Sequence, residues 1–222
     1  MKNPDFSISF QAGKRFDPKL REIILTPSKI GELVLTSGKL IACDPLTYPD
    51  TEPFAADLIP GSYPVILSVA HYQKDSSRVA YAMLRLSEQT PIRWEMATRP
   101  GEDLSSLSEA EGFGYAVESG TGCFMDMDAA QVIDASLEAE TFEDSLGGKL
   151  LEALEKNYKP TWDWAVLRVD DSTEANVIAF TTGWGDGAYP SYFGYDAEDN
   201  IVNLVTDFGL FGGAEDTIFD SS

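Results

Sequence analysis

The chain has 222 residues, enough for one large domain or two small ones, and its hydrophobic content of 43% is typical of a folded protein. Its 16 basic and 37 acidic side chains leave a formal net charge of −21 at pH 7. A field of that sign repels nucleic-acid phosphates and anionic lipids, so we expect neither a nucleic-acid nor a membrane partner. It attracts a basic protein or a cation, and it promotes solubility even without a partner.

Several features favour a reducing compartment. The first residues contain no apolar segment of the kind that forms a secretory signal, and no apolar run is long enough to span a bilayer. The two cysteines lie far apart in the sequence and do not suggest a disulfide framework. We therefore expect a cytoplasmic protein.

Apolar runs in the first half of the chain predict strands. Residues 1–30 are mixed in character, and we expect them to form an N-terminal arm that is irregular or built of short strands. Residues 32–43 contain two apolar runs around Ser37 and Gly38, which is typical of a β-hairpin. Further strands are predicted at residues 63–72, 78–86 and 91–97.

The second half predicts two helices followed by strands. Asp126 is suited to cap a helix that runs to about Glu140, and Thr141 is suited to cap a second helix that Pro160 ends. Four strands follow, at residues 164–169, 176–182, 189–195 and 201–208.

Together these elements predict the α+β class, with mainly antiparallel, sandwich-like β-sheets and two central helices. We expect a single domain over residues 31–208, preceded by the arm at 1–30 and followed by an acidic, flexible tail at 209–222. The sequence shows no clear internal repeat.

Residues 112–128, GFGYAVESGTGCFMDMD, contain four glycines, one cysteine and three carboxylates. This pattern predicts a strand that ends in a tight turn and is followed by a helix. Cys123 would then lie just before the helix N-terminus, where the pKa of a thiol falls. The binding residues predicted in the turn are Ser119, Gly120, Thr121 and Gly122.

Residues 181–196, TTGWGDGAYPSYFGYD, have the same glycine-rich character and add aromatic side chains. The binding residues predicted in this second segment are Trp184, Asp186, Tyr189 and Tyr192. We expect the two segments to meet in space and to bring Cys123 and Asp126 close to Trp184 and Asp186.

The first segment suggests a hydrolase or transferase as one hypothesis. Cys123 would be the nucleophile, His71 the base, and Asp126 or Asp186 the group that orients the base. The backbone N–H groups of Gly122 and Cys123 would form the oxyanion pocket. The same residues also suit a purely structural role, since cysteine is often buried and histidine is common in sheets.

Two further hypotheses follow from the acidic and aromatic residues. The first is a non-enzymatic module that binds a basic protein, with aromatic side chains of the second segment as anchors. The second is a site for a hard cation such as Ca²⁺ or Mg²⁺, although the spacing of an EF-hand is not present and no cofactor is predicted. Its candidate ligands are Asp126, Asp128, Asp186 and Asp207.

Six motifs in a fixed order resemble those of a bacterial family catalogued as domain of unknown function 4241. They are SGKLIACDPL at 37–46, PGSYPVILS at 60–68, RVAYAMLRL at 78–86, ESGTGCFMD at 118–126, GWGDGAYPSYFGYD at 183–196 and LVTDF at 204–208. The resemblance extends from about Leu33 to Phe208 and implies a cytoplasmic bacterial protein of one domain, without an assigned reaction. Of the hypotheses above, we favour the protein-binding module, with an immunity-like role as its more specific form.

Overall fold

The computed structural model describes residues 4–19, 21–73, 76–108, 112–136 and 141–211. These residues form three layers: a seven-stranded sheet, a four-stranded sheet and two helices. In chain order the described elements are β1 (Gly13–Phe16), β2 (Glu22–Leu35), β3 (Leu40–Cys43), β4 (Gly61–Gln73), β5 (Ser76–Arg85), β6 (Arg93–Met96), β7 (Tyr115–Val117), β8 (Thr121–Asp126), α1 (Met127–Ser136), α2 (Leu146–Lys156), β9 (Trp164–Arg168), β10 (Asn176–Thr181), β11 (Gly187–Tyr189), β12 (Ser191–Tyr195) and β13 (Ile201–Asp207).

All the strand pairs of the described residues are antiparallel, which confirms the predicted α+β class with antiparallel sheets and two helices. The large sheet has the strand order β1-β2-β4-β5-β13-β12-β6. The smaller sheet has the order β3-β8-β10-β9, and β7 pairs with β11 in a separate ribbon.

The four-stranded sheet is the middle layer, and its strands β3, β8 and β10 are almost entirely buried on both faces. In β8, Phe124 packs into the core shared with the large sheet, whereas Cys123 and Met125 pack into the core shared with the helices. All six residues of β8 are buried. A strand that is covered on both faces needs apolar side chains on both, because neither face meets water.

Each helix begins after a residue whose side chain accepts a hydrogen bond from a backbone N–H of the first turn. α1 starts directly after Asp126, whose carboxylate accepts a hydrogen bond from the Asp128 N–H at 3.0 Å, as the capping prediction requires. α2 is capped by Ser145 and not by Thr141, the cap that the sequence predicts. Residues 137–140, where the first helix is predicted to end, lie outside the described residues.

The hairpin predicted at residues 32–43 is wrong, because its two apolar runs belong to different sheets. β2 pairs with β4 in the large sheet, whereas β3 pairs with β8 in the middle layer. The chain changes layer at Gly38, which has a left-handed φ of 79°. A side chain there would collide with the carbonyl oxygen of Leu58.

Part of the predicted N-terminal arm belongs to the core. β2 runs across the predicted boundary at residue 30, and the buried ring of Phe6 contacts the rings of Tyr81, Trp94 and Tyr192. At the other end, Leu210 is buried. Residues 212–222, most of the predicted tail, lie outside the described residues.

The turn at Gly38 yields a prediction about stability. We expect Gly38→Ala to lower the free energy of unfolding by about 3 kcal/mol or more, since left-handed strain adds to a clash with a backbone atom. The matched control is Gly101→Ala, because Gly101 has a φ of 87° and a Cβ atom added to it would meet no heavy atom within 4 Å. Its cost should be about 1 kcal/mol. Urea unfolding measures both, and equal losses would contradict the assignment.

Candidate functional site

The two glycine-rich segments meet, as the sequence predicts. β7 of the first segment pairs with β11 of the second. The Gly120 carbonyl oxygen accepts hydrogen bonds from the Thr182 N–H at 3.0 Å and from the Thr182 hydroxyl at 3.1 Å. The contact is made largely by backbone, which explains why both segments are rich in glycine.

The predicted grouping of four side chains is not found, because β8 carries the chain away from this contact. Thr121, at the start of β8, pairs with Thr181, the first residue of the second segment. Asp126 lies five residues further along an extended strand, roughly 17 Å away, and pairs with Leu40. Asp126 therefore lies far from Asp186, and the side chain of Cys123 faces the helices.

Cys123 lies in the middle of β8 and not at a helix N-terminus, so the predicted fall in its pKa is wrong. Its side chain is fully buried, and burial raises the pKa of the Cys123 thiol well above its usual value. Its Sγ atom lies 3.7 Å from the Sγ atom of Cys43, directly across the strand pair. A buried thiol of this kind is a weak nucleophile.

The other two members of the predicted catalytic set have different partners. His71 lies on β4, its Nδ1 atom is 2.8 Å from the Ser77 hydroxyl, and burial lowers the pKa of its imidazole. The Asp126 carboxylate accepts hydrogen bonds from Ser37 and neighbouring residues. In the described chain, no hydrogen bond links Cys123, His71 or Asp126 to one another.

Asp126 holds the turn that precedes the neighbouring strand. It ends β8, and its fully buried carboxylate accepts hydrogen bonds from the Ser37 N–H at 3.1 Å, the Gly38 N–H at 3.0 Å and the Ser37 hydroxyl at 2.7 Å. The Thr36 hydroxyl also donates to it, at 3.1 Å. These residues lead into β3, so Asp126 fixes where β3 begins.

Asp44 makes the reciprocal arrangement. It directly follows β3, and its fully buried carboxylate accepts hydrogen bonds from the Glu118 N–H at 3.0 Å, the Ser119 N–H at 2.7 Å and the Ser119 hydroxyl at 2.8 Å. Those residues lead into β8. We call Asp44 and Asp126, with the two turns that they hold, the aspartate clamps.

The clamps arise from a short internal repeat that the sequence analysis missed. Residues 37–44, SGKLIACD, and residues 119–126, SGTGCFMD, both read serine, glycine, five residues, aspartate. Both glycines are left-handed, with φ of 79° at Gly38 and 75° at Gly120. Aligning the chain with itself at a shift of 82 residues reveals the repeat. Ser119, a predicted binding residue, therefore has a structural role as a hydrogen-bond donor to Asp44.

The remaining predicted binding residues divide into buried and exposed ones. Thr121 and Gly122 are buried in β8. Tyr189 is buried and donates its hydroxyl to the Gly185 carbonyl oxygen at 2.7 Å, and the buried Tyr192 packs against Phe6. Asp186 and Trp184 are exposed. Among these residues, only the exposed pair is available to a partner without rearrangement.

Trp184 is 60% exposed but is held in place by neighbouring side chains. Its ring centroid lies 5.8 Å from that of Tyr72, and the Arg78 guanidinium lies 5.2 Å from the centroid of the indole. Arg21 in turn lies 4.9 Å from the centroid of the Tyr72 ring. We call Trp184, Tyr72, Arg78 and Arg21 the Trp184 surface.

Only Trp184 of these four is a binding residue that the sequence predicts. Tyr72 ends a predicted strand, and Arg21 and Arg78 lie in segments that the sequence assigns to other elements. Their convergence depends on the register of β2, β4 and β5, which no local pattern specifies.

The described residues do not offer the cluster of ligands that the cation hypothesis requires. The described residues contain no group of three or more histidine, cysteine, aspartate or glutamate side chains placed to hold a metal ion. Asp126 instead accepts hydrogen bonds from N–H and hydroxyl groups, and Asp207 from a backbone N–H.

None of the described helices is long and apolar enough to cross a membrane.

A comparison with protein families identifies the chain. Residues 33–206 match the family described as Protein of unknown function (DUF4241), a range that covers most of the chain. The chain belongs to this family. The DUF4241 match begins within β2 and ends within β13, so it includes both aspartate clamps and the Trp184 surface except Arg21. Searches of curated proteins and of solved structures found no match.

Asp207 is a buried carboxylate outside the clamps. It accepts a hydrogen bond from the Gly209 N–H at 2.8 Å. Burial raises the pKa of the Tyr81 and Tyr192 phenols, and the nearby charge of Asp207 raises both further. Burial raises the pKa of Asp207 to about 6. The folded protein therefore binds this proton more tightly than the unfolded chain does.

This shift predicts a specific dependence of stability on pH. Between about pH 4 and pH 6 the unfolded chain loses the Asp207 proton while the folded protein keeps it, so stability falls as the pH rises, by about 3 kcal/mol in total. Asp207→Asn should remove this contribution. Urea unfolding measures the free energy of unfolding of both proteins. Between pH 4 and pH 7, the value for Asp207→Asn minus the value for the wild type should therefore increase by about 3 kcal/mol. A difference that does not change with pH would contradict the assignment.

Proposed function

We propose that this DUF4241 protein is a non-enzymatic module that binds a basic protein through the Trp184 surface. The observation that carries the proposal is an indole that is 60% exposed and yet fixed by Tyr72 and Arg78. Tryptophan, tyrosine and arginine are the residue types that contribute most to protein interfaces. A fixed side chain also loses little conformational entropy when a partner covers it.

The charge of the chain specifies the kind of partner. With a formal net charge of −21, the protein attracts a basic protein over long distances and accelerates its association. Of the two arginines of the surface, Arg21 has its charge offset by an ion pair with Asp17 at 2.6 Å. Arg78 keeps its positive charge, because its hydrogen-bond acceptors, the carbonyl oxygens of Ser77 and Thr161, are neutral, but this single charge is small beside the net charge of the chain.

An immunity-like role is the more specific form of the proposal. A nuclease toxin needs a basic surface to hold nucleic-acid phosphates, and an acidic protein that covers this surface would inhibit it. The cytoplasmic location expected from the sequence suits this role.

The alternative of a hydrolase or transferase that uses Cys123 receives no comparable support. The Cys123 thiol is buried and has a raised pKa, and His71 and Asp126 are hydrogen-bonded to other residues. A catalytic base must lie within hydrogen-bond reach of the proton that it removes.

The proposal predicts the effect of one substitution on binding. The wild type, immobilised at low salt in lysate of its native host, should retain a stoichiometric partner with an isoelectric point above about 9. Trp184→Ala should weaken binding of that purified partner by roughly 30-fold or more, as expected for an interface anchor. Isothermal titration calorimetry measures the change, and added salt should weaken binding by the wild type.

Controls separate this interface from general attraction to basic proteins. Ile59→Ala removes a side chain that is 79% exposed and lies outside the Trp184 surface, and it should bind the partner as the wild type does. Lysozyme, a generic basic protein, should bind weakly and equally to all three proteins. An acidic partner, or equal affinity for the wild type and Trp184→Ala, would contradict the proposal.

A further inference from the structure

The two cysteines, 80 residues apart in sequence, are neighbours in the middle layer. Cys43 on β3 and Cys123 on β8 are directly opposed in the antiparallel register, and their Sγ atoms lie 3.7 Å apart. Both thiols are free and buried, and both face the core shared with the helices. The separation in sequence, which argues against a disulfide framework, does not reveal this contact.

We propose that Cys43 and Cys123 form a thiol-oxidation site, at which a peroxide or a small disulfide converts the pair to an intrachain disulfide bond. Directly opposed residues of an antiparallel pair have Cα atoms about 4.5–5.5 Å apart, within the range that disulfides span. The sulfur atoms must approach by only about 1.7 Å to reach bonding distance, which side-chain rotation supplies.

The aspartate clamps keep the thiols together. Asp44 directly follows Cys43 and holds the turn before β8, and Asp126, three residues after Cys123, holds the turn before β3. Both ends of the strand pair are therefore fixed on either side of the two sulfur atoms. The second thiol is present at a high effective concentration when the first reacts.

With a peroxide, the reaction proceeds in two balanced steps. One thiolate attacks a peroxide oxygen, a sulfur–oxygen bond forms, the oxygen–oxygen bond breaks, and the thiol becomes a sulfenic acid. The second thiolate then attacks this sulfur, a sulfur–sulfur bond forms and hydroxide leaves to become water. With hydrogen peroxide, the first step releases hydroxide, which also becomes water, so two thiols and one peroxide give one disulfide and two water molecules.

With a small disulfide, one thiolate attacks a sulfur atom of that disulfide, its sulfur–sulfur bond breaks and one small thiol leaves. The second thiolate then attacks the protein sulfur of the mixed disulfide and releases the second small thiol, so two protein thiols and one small disulfide give one protein disulfide and two small thiols.

Burial determines the rate and the product. The buried thiols meet an oxidant only when the strand pair opens locally, so the first step is slow. The second step is intramolecular and fast, so the sulfenic acid is captured before it is oxidised further. The site therefore gives one product, which a thiol reductant reverses.

The test uses the full chain, purified in reductant and then transferred without oxygen to buffer. Hydrogen peroxide and glutathione disulfide are added in separate samples, and the products are analysed by non-reducing peptide mapping and by counting thiols after denaturation. We expect both thiols to disappear together, with a mass loss of about 2 Da and a single crosslink between the peptides of Cys43 and Cys123. The unfolding temperature should rise by roughly 5–10 °C and return after reduction.

Single variants provide the matched control. Cys43→Ala and Cys123→Ala each leave one thiol, which should give a sulfenic acid or a glutathione adduct and no intrachain crosslink. The wild-type result stands even where a variant fails to fold. Two outcomes would overturn the proposal: both wild-type thiols remaining free after prolonged oxidation, or their loss at independent rates to adducts, dimers or sulfinic acids.

Discussion

The structure depends on two buried carboxylates that each hold the start of the other's strand. Asp44 directly follows β3 and holds Ser119 before β8, and Asp126 ends β8 and holds Ser37 before β3. A buried carboxylate is unfavourable unless several donors satisfy it, and both aspartates receive backbone and hydroxyl donors. Because each carboxylate receives these donors only when the turn before the other strand is formed, the clamps specify the register of β3 and β8 as well as their stability.

This strand pair positions the surfaces on which the functional proposals depend. The clamped turn at Ser119 is followed by Gly120, whose carbonyl oxygen accepts two hydrogen bonds from Thr182. Trp184, two residues after Thr182, is exposed to solvent and packs one side of its ring against Tyr72 of the large sheet. The path from a buried carboxylate to an exposed indole is short and is made mainly of backbone contacts. We therefore expect the Trp184 surface to be preformed, as an interface anchor should be.

Much of the secondary structure is predictable from the sequence, whereas the assignment of residues to layers is not. Alternation at residues 91–97 correctly predicts β6, with Trp94 buried and Glu95 exposed, because one face of that strand meets water. The same local signals mislead at Ser37 and Gly38, where a turn typical of a hairpin carries the chain to another sheet. The prediction for Cys123 is wrong for a related reason, since its turn lies before a strand and not before the helix. The contacts of Tyr72 and Arg78 with Trp184 join distant segments, and no local pattern specifies them.

Amide hydrogen exchange in Asp126→Ala tests the clamp account most directly. If the two clamps act as one unit, losing the Asp126 carboxylate should accelerate exchange at Ser37 and Gly38, which it holds, and also at Glu118 and Ser119, which Asp44 holds. We expect an acceleration of roughly tenfold or more at both turns, and none in the exposed control Asp186→Ala. Acceleration confined to Ser37 and Gly38, with Glu118 and Ser119 as protected as in the wild type, would contradict the account.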